Sequence, residues 1–480
     1  MKFGEDYVET LLSFFTGSMT DSIWNYFFFP CIFLGGVYFT FRTGGVQIVR
    51  WKEILKNTVG SLFTRQKASG GSVTPFQAMT TALAATVGTG SIVGTCQALV
   101  FGGYGAVFWL WAASFLGMVI KFCEVVLSIH YRRRNREGEW VGGPMYYMRH
   151  GLGKMGKPLS VFFSFFALLG SFAMGNLVQT NSISLVVAHT ASSFVPLSER
   201  GEKTVCLVAG LVVASLLALA IFGGMKRIGT VTGTLVPYMT LGFGVLCLLV
   251  IFARISNLPK AFFNIFVSAF SPRAVFGAAG GITTKLAFEW GIRRSAFSNE
   301  AGLGTAAIAH AGADTDHPVR QGFFGIFEVF VDTFLVSTMV ALTVIVSLPP
   351  SQIHTSPADE SLITSAFASL YGTSFASLFV GIALILFAFS TLLGWSLYGC
   401  RCAEYLFGSR IRSLYQILFC CMSAVGAILS LDTVWSLSDT FNALMSIPNF
   451  IALFSLSGVV KRLTKEFFQK KRSRNSKEKV

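Results

Sequence analysis

The chain has 480 residues, 53% of them hydrophobic and only 13% charged, with a formal net charge of +15 and a mean hydropathy of +0.62. That is too little charge to clothe a soluble protein of this length. Nearly charge-free stretches such as 205–224, 231–252, 323–348 and 375–399 each reach the roughly 20 residues that span a hydrocarbon core about 30 Å thick. In lipid every backbone polar group must be satisfied internally, so the expected fold class is an all-α polytopic membrane protein. The basic excess is then a matter of topology, and nucleic acid is not an expected partner.

Eleven spans are expected, one near Trp24–Phe41 and ten beginning near Phe76, Ala106, Leu159, Val205, Ile228, Phe276, Phe323, Phe375, Leu414 and Trp435. Assigning the loops alternately to two sides places 28 Lys and Arg on one side and six on the other. Positive residues mark the cytoplasmic face, so the N-terminus is predicted outside and the C-terminus inside. No cleavable leader is expected. The organisation read from this is a segment 1–75 holding the extra helix and a basic loop, a ten-helix core 76–460, and a basic tail 461–480. The core divides into repeats 76–253 and 276–460. The tail suits anionic lipid. Lys260–Phe270 and Leu362–Leu370 read as amphipathic surface helices.

The first core span is interrupted by Thr86-Val87-Gly88-Thr89-Gly90-Ser91. Glycine weakens a helix and frees its backbone, which a bilayer tolerates only around a protected polar cavity. Half-helix N-termini at such a break suit a carboxylate, and the opposed carbonyls suit a cation. Gly88, Thr89 and Gly90 are therefore candidates for a substrate's charged end, with hydroxyls from Thr89 and Ser91. Tight helix packing through Gly90 and Gly94 is the competing explanation.

Lys121 and Glu124 in the second core span are three apart, the spacing of a structural ion pair. The third core span carries Asn176, Gln179 and Asn181. Asn176 and Gln179 share a helical face and can each donate and accept, which suits a zwitterion; interhelical hydrogen bonding is the alternative. Lys285 and Glu289, four apart, again read as an ion pair.

A second interruption, Ser298-Asn299-Glu300-Ala301-Gly302-Leu303-Gly304-Thr305, lies five spans after the first and crosses in the opposite direction. A matched pair of breaks in two halves points to a secondary transporter with inverted repeats. Glu300 either coordinates a cation or hydrogen-bonds the freed amides and holds the break open; the second role is favoured. His310 reads as an interfacial residue at a span end. Asp332 with Thr333 is either a coupling-ion ligand or a polar tie between helices. Ser390 and Thr391 offer adjacent hydroxyls to a cation, or bond their own backbone.

The six histidines show no metal-ligand spacing, and no phosphate-binding glycine loop occurs. An enzyme is not expected, nor a cofactor, nor direct coupling to ATP. The nine cysteines lie mostly in apolar runs and no disulfide is expected.

Several segments together carry a family resemblance: Thr81-Ala82-Leu83-Ala84-Ala85-Thr86-Val87-Gly88-Thr89-Gly90, Gly102-Gly103-Tyr104-Gly105-Ala106-Val107-Phe108-Trp109-Leu110-Trp111, Gly142-Gly143-Pro144-Met145-Tyr146-Tyr147, Phe297-Ser298-Asn299-Glu300-Ala301-Gly302-Leu303-Gly304 and Ile447-Pro448-Asn449. Over residues 30 to 460 the chain resembles the alanine/glycine:cation symporter family. The resemblance implies a leucine-transporter-like bundle of five plus five inverted helices with one added N-terminal helix, in the bacterial inner membrane. It implies alanine or glycine carried inward with Na⁺ by alternating access. Carried over by position, substrate would contact Gly88–Ser91, Asn176, Gln179, Phe297, Ser298, Asn299 and Gly302. Sodium would lie among Ala85, Gly88, Ser390 and Thr391. Glu300, Asp332, Thr333 and Asn181 remain polar residues with a coupling or a structural role.

Two residues depart from the family pattern. Ser91 stands where Asn is usual, leaving cargo size and ion number open, and Leu110 replaces Met, a volume-conserving change. The rival expectations are a proton-coupled or other-cation carrier on the same fold, and a channel or sensor. Oligomeric state is not fixed by the sequence.

Overall fold

The computed structural model describes residues 14–62, 73–192, 196–270, 284–477. The expected start of the sixth core span near Phe276, parts of the 1–75 segment and the last residues of the tail lie outside these. The main helices, in chain order, are α1 (Gly17–Thr43), α2 (Pro75–Thr86), α3 (Gly90–Gly102), α4 (Gly105–Tyr131), α5 (Pro144–Gly151), α6 (Gly153–Ser192), α7 (Glu199–Ile221) and α8 (Gly224–Ala253). They continue as α9 (Leu258–Phe270), α10 (Thr284–Asn299), α11 (Ala306–His310), α12 (Pro318–Ser347), α13 (Ser361–Tyr371), α14 (Thr373–Phe407), α15 (Ile411–Gly426), α16 (Leu431–Ser455) and α17 (Ser457–Lys477).

Among the described residues, seven helices are long and apolar enough to cross a membrane, and up to nine spans result if two bent pairs each count as one. The pairs are α2 with α3, bent by 52°, and α16 with the first part of α17, bent by 56°. Between α4 and α5 a short antiparallel hairpin, β1 (Arg133–Arg134) and β2 (Trp140–Val141), adds strand to an otherwise helical chain. Asn135 closes it by accepting from the backbone of Glu137 and Glu139, the Asx geometry that competes with helix.

Burial separates the helices by role. α4 is buried almost throughout, while α7 and α8 expose Leu211, Val212, Leu241 and Leu249, the one-sided exposure of helices facing lipid. The two surface helices expected from amphipathicity are present: α9 buries Ala261 and Ile265, and α13 buries Leu362, Ile363, Ala366 and Phe367. The core around α4, α10 and α12 is where the polar residues collect.

Helix α2 starts sharply. Thr74 and Gln77 form a reciprocal capping box with Pro75 at the first helical position, the arrangement that satisfies otherwise orphaned amides. Just before it, Val73 pairs in parallel with Ala313, beyond the end of α11. The Val73 amide donates to Gly312 O at 3.2 Å, and the Asp314 amide to Val73 O at 2.8 Å.

Candidate functional site

Both expected breaks are real interruptions of the helical backbone. After Thr86, Val87 leaves the helical region and the Gly88 amide turns back to Thr86 O at 2.9 Å. α3 then opens with a widened π-helical turn over Gly90–Gly94. At the second break Glu300 has φ +56°, with Gly302 at +89° and Gly304 at +79°. Glu300 is the single non-glycine residue with positive φ among the described residues, a conformation that side-chain-bearing residues hold only when their surroundings enforce it. The two breaks touch: a Cβ placed on Gly90 would lie 3.0 Å from the Phe297 ring and 3.3 Å from Ser298 Cα.

Asp332 joins them. It sits in a second π-helical turn, Phe330–Ser337 of α12. Ser91 Oγ donates to Asp332 Oδ1 at 2.6 Å, and Ser298 Oγ lies 2.9 and 2.8 Å from its two oxygens. Thr333 Oγ1 donates to Asp332 Oδ2 at 3.0 Å, and Asn299 Nδ2 donates to Thr333 Oγ1 at 3.3 Å. All five side chains are buried. The widened turn frees main-chain carbonyls, which Ser337 and Thr338 cover by bonding the carbonyls of Asp332 and Thr333. π-turns of this kind gather at functional positions.

Another π-turn, Ala173–Leu177, lies in α6, and further π-helical stretches lie at the N-terminal end of the described chain, mostly within α1. Gln179 closes it by donating to Met174 O at 3.1 Å, while its Oε1 accepts from Thr89 at 3.0 Å. Asn176 faces elsewhere: its amide donates to Phe419 O at 2.6 Å and its oxygen accepts from Ser423 and Thr180. Asn181 likewise donates to Gly426 O and Leu429 O. Of the three amides, only Gln179 reaches a break; the other two fasten α6 to α15 and the turn after it.

Ser390 and Thr391 of α14 approach the first break from the other side. Both hydroxyls point at Ala84 O, at 3.3 and 3.1 Å, and at Phe387 O of their own helix. Any side chain on Gly88 would collide with the Thr391 hydroxyl, and one on Gly394 would lie 2.6 Å from Ala85 Cβ. Glycine at both places therefore permits close approach of α14 to α2. The result is a cluster of hydroxyl and carbonyl oxygens without nitrogen or sulfur, a donor set that suits a hard cation.

Three expectations need correction. Lys121 does not pair with Glu124; its Nζ lies 3.4 Å from Glu328 Oε1 on α12, both groups fully buried. Glu124 instead holds the second break: its Oε1 accepts from the amides of Gly302 at 3.0 Å and Gly304 at 3.1 Å, and from Asn449 Nδ2 at 2.7 Å. That is the role expected of Glu300. Glu300 bonds Trp395 Nε1 at 2.8 Å and the Thr305 hydroxyl, so it anchors the left-handed corner to α14 and α11 and takes no freed amide. His310 is not interfacial. It is fully buried, its Nε2 is 3.0 Å from Glu328 Oε2, and its Nδ1 is 2.8 Å from Gln321 Nε2. Because Gln321 Nε2 also faces Pro75 O at 3.4 Å, it must donate, so Nδ1 accepts and Nε2 carries the proton toward Glu328.

Asn449 is the residue of this cluster that sequence reasoning left without a role, and Glu124 the one it paired locally with Lys121. Pro448, inside α16, was the available signal, since a helix-interior proline donates no hydrogen bond and leaves a backbone acceptor free beside Asn449. Asn449 also donates to Gly302 O at 2.9 Å and accepts from the Tyr147 hydroxyl. The ion pair expected between Lys285 and Glu289 is present, at 3.6 Å.

Two broken helices meeting at buried hydroxyls, amides and a carboxylate, inside a helical membrane bundle, are the arrangement of a secondary active transporter. The same architecture is found in the crystal structure of MhsT in complex with L-phenylalanine, which matches with a TM-score of 0.58 over 85% of this chain and 99% of that one, at 11% identity. The chain belongs to the sodium:alanine symporter family, whose profile matches residues 9–480. It is 41% identical over 94% of its length to the sodium/alanine symporter AgcS of Methanococcus maripaludis, covering 96% of that protein. It is 32% identical to the amino-acid carrier protein AlsT of Bacillus subtilis, over 94% of this chain and 91% of that one. The protein is accordingly a secondary active transporter of a small neutral amino acid, not an enzyme.

Proposed function

We infer that the protein imports alanine or glycine together with Na⁺ across the cytoplasmic membrane. The observation that carries this reading is the Ser91–Asp332–Ser298 junction, where both breaks converge on one buried carboxylate. The substrate carboxylate lies at the amides of Thr89 and Gly90, at the start of α3, where the helix dipole favours an anion, beside Gly88, whose own amide is taken by Thr86 O. Thr89, Ser91 and Gln179 border it on one side and Phe297, Ser298 and Asn299 on the other, while Gly302 turns away to Glu124 and Asn449; Asn176 supports this wall from behind through α15.

Sodium occupies the oxygens between Ala84, Ala85, Gly88, Ser390 and Thr391. Each hydroxyl there can donate to Phe387 O and still offer lone pairs to the ion. Asp332 with Thr333 supplies a further coupling position, and Glu300 and Asn181 act structurally. One Na⁺ entering down 100 mV contributes about 2.3 kcal/mol, close to a roughly 50-fold accumulation at ideal coupling.

Topologically, adding the α10–α11 pair and the short α15 to the nine apolar spans gives eleven crossings, read as one extra helix plus five and five. The first repeat runs from 76 to 253 and the second from 276 to 460, after an N-terminal segment 1–75. The basic surplus places the C-terminal tail 461–480 in the cytoplasm beside anionic lipid and the N-terminus outside.

The test is uptake of radiolabelled L-alanine into proteoliposomes under an inward Na⁺ gradient. Uptake that saturates and collapses when choline replaces Na⁺ at fixed pH is expected. Uptake indifferent to Na⁺ but driven by a pH gradient would replace the ion, and no uptake of any small amino acid would overturn the reading.

A further inference from the structure

Where α8 ends and α9 begins, a cavity of about 480 Å³ opens against the end of α12. Arg254, Asn257, Lys260, Asn264 and Ser347 line it, and among the described residues no acidic side chain does. Two cations therefore share one cavity without a counter-ion in its wall. Six Lys and Arg fall on the side assigned to the outside, and Arg254 and Lys260 are two of them. Positive charge is otherwise kept to the opposite face, so its concentration here calls for a cause.

The wall also holds donors that nothing in the protein takes up. Arg254 Nη2 donates to Ser369 O and Ser369 Oγ of α13, both at 2.9 Å, which anchors the guanidinium. Its Nε is buried without a partner, and so is the Ser347 hydroxyl. Asn257 Nδ2 donates to Val346 O at 3.0 Å, fastening the turn before α9 to the last turn of α12. Buried donors left unmade cost free energy. An anion with several oxygens would satisfy both of them and neutralise both cations, and an anchored guanidinium suits the oxygens of a phosphate.

The rest of α9 indicates which phosphate. Lys260 and Asn264 lie one turn apart on a single stripe, while Ala261, Ile265 and Ala269 are buried and Phe262, Phe263, Phe266 and Phe270 are exposed on the remaining flank. Phe252 in the last turn of α8 and Ile255 just beyond it are exposed as well. Exposed rings beside a polar stripe mark a helix lying along the bilayer surface. A headgroup in the cavity has apolar surface next to it for acyl chains, which a free phosphate ion cannot use.

We propose that this cavity binds the phosphodiester headgroup of an anionic phospholipid, with phosphate oxygens on Arg254, Lys260 and Ser347 and acyl chains along the exposed rings of α9. The lipid bridges α8, α9 and α12, and so braces the far end of the helix that carries Asp332. The site shares no residue with the two breaks and stands whatever cargo or ion they bind.

Native mass spectrometry of the delipidated full-length protein in nonionic detergent, titrated with phosphatidylglycerol or phosphatidylcholine, reads the site. Wild type is expected to bind one phosphatidylglycerol at least tenfold more tightly than phosphatidylcholine. Lys260→Gln, which changes an exposed side chain, is expected to weaken that lipid at least fivefold, and Lys260→Gln with Arg254→Gln to abolish the preference. Lys461→Gln with Lys465→Gln, which removes two exposed charges from the tail, is expected to leave it within twofold. Equal affinity for the two lipids in wild type, or a loss in the tail variant as large as in Lys260→Gln, overturns the site. Undiminished affinity in Lys260→Gln overturns it too, whether or not the double variant folds. Displacement of the tight phosphatidylglycerol by millimolar inorganic phosphate makes a free anion the occupant and overturns the lipid.

Discussion

Ser91 and Asp332 meet across 2.6 Å, so the first broken helix is fastened to the widened turn of α12 by one hydroxyl–carboxylate hydrogen bond. Ser298 shares the same carboxylate. Replacing Asp332 by Asn keeps the shape but removes the charge that faces these hydroxyls. The expected outcome is an increase of about tenfold in the Na⁺ concentration for half-maximal alanine uptake, equivalent to ~1.4 kcal/mol. An unchanged Na⁺ dependence with a lowered melting temperature would reduce Asp332 to a tie between helices.

At the second break the two glycine amides depend on Glu124. Glu124→Ala leaves those buried donors and Asn449 without their acceptor, a loss of about 3 kcal/mol or more at 1–3 kcal/mol per unsatisfied group. Glu124→Gln keeps one acceptor oxygen and is expected to be the milder of the two. Thermal unfolding in detergent, with both variants compared to wild type, reads the difference.

Ser390→Ala and Thr391→Ala each remove one hydroxyl from the oxygen cluster at Ala84. Each is expected to weaken Na⁺ activation of uptake by about tenfold or more, ~1.4 kcal/mol, with alanine affinity at saturating Na⁺ changed far less. Titrating uptake with Na⁺ at fixed alanine, then with alanine at fixed Na⁺, distinguishes an ion ligand from a substrate ligand.

Lys121 and Glu328 form a fully buried pair. Removing one partner strands the other, so Lys121→Met should destabilise by about 3–5 kcal/mol. The double variant Lys121→Met with Glu328→Gln should recover part of that loss, because no buried charge is left over. A double-mutant cycle on thermal stability measures the recovery; purely additive losses would show that the two charges do not interact.

Outside the spans, the hairpin carboxylate Glu139 lies 2.8 Å from Arg401 and 3.3 Å from Arg412. Burial alone would raise its pKa, but these guanidiniums outweigh it and hold the carboxyl below the ordinary glutamate range. A lowered folded-state pKa gives stability that is present above the unfolded value, about 4.3, and is lost as pH falls through the lower folded one. Melting temperature should therefore decline as pH drops below about 4.3, and Glu139→Gln should flatten part of that decline.

Much of this was legible from residue order because glycine has so few uses in a membrane helix. The breaks at Gly88–Ser91 and Ser298–Thr305 follow from composition alone, and the hydroxyls of Ser390 and Thr391 from their depth in an apolar run. What escaped was pairing across distance. Lys121 and Glu124 have the spacing of a local ion pair, yet a neighbouring helix offers Lys121 the Glu328 carboxylate and gives Glu124 the freed amides of Gly302 and Gly304. Asn176 and Gln179 share a face in an ideal helix, but the π-turn ending at Leu177 falls between them. The residues ahead of a break carry no periodic signal of which partner they will choose.

The parallel pairing of Val73 with Ala313 has a mechanical consequence. It ties the lead-in to the first discontinuous helix to the trailing end of the second through main-chain bonds that no side-chain substitution removes. Two hydrogen bonds thus couple the base of one break to that of the other, a linkage that favours their moving together over either moving alone.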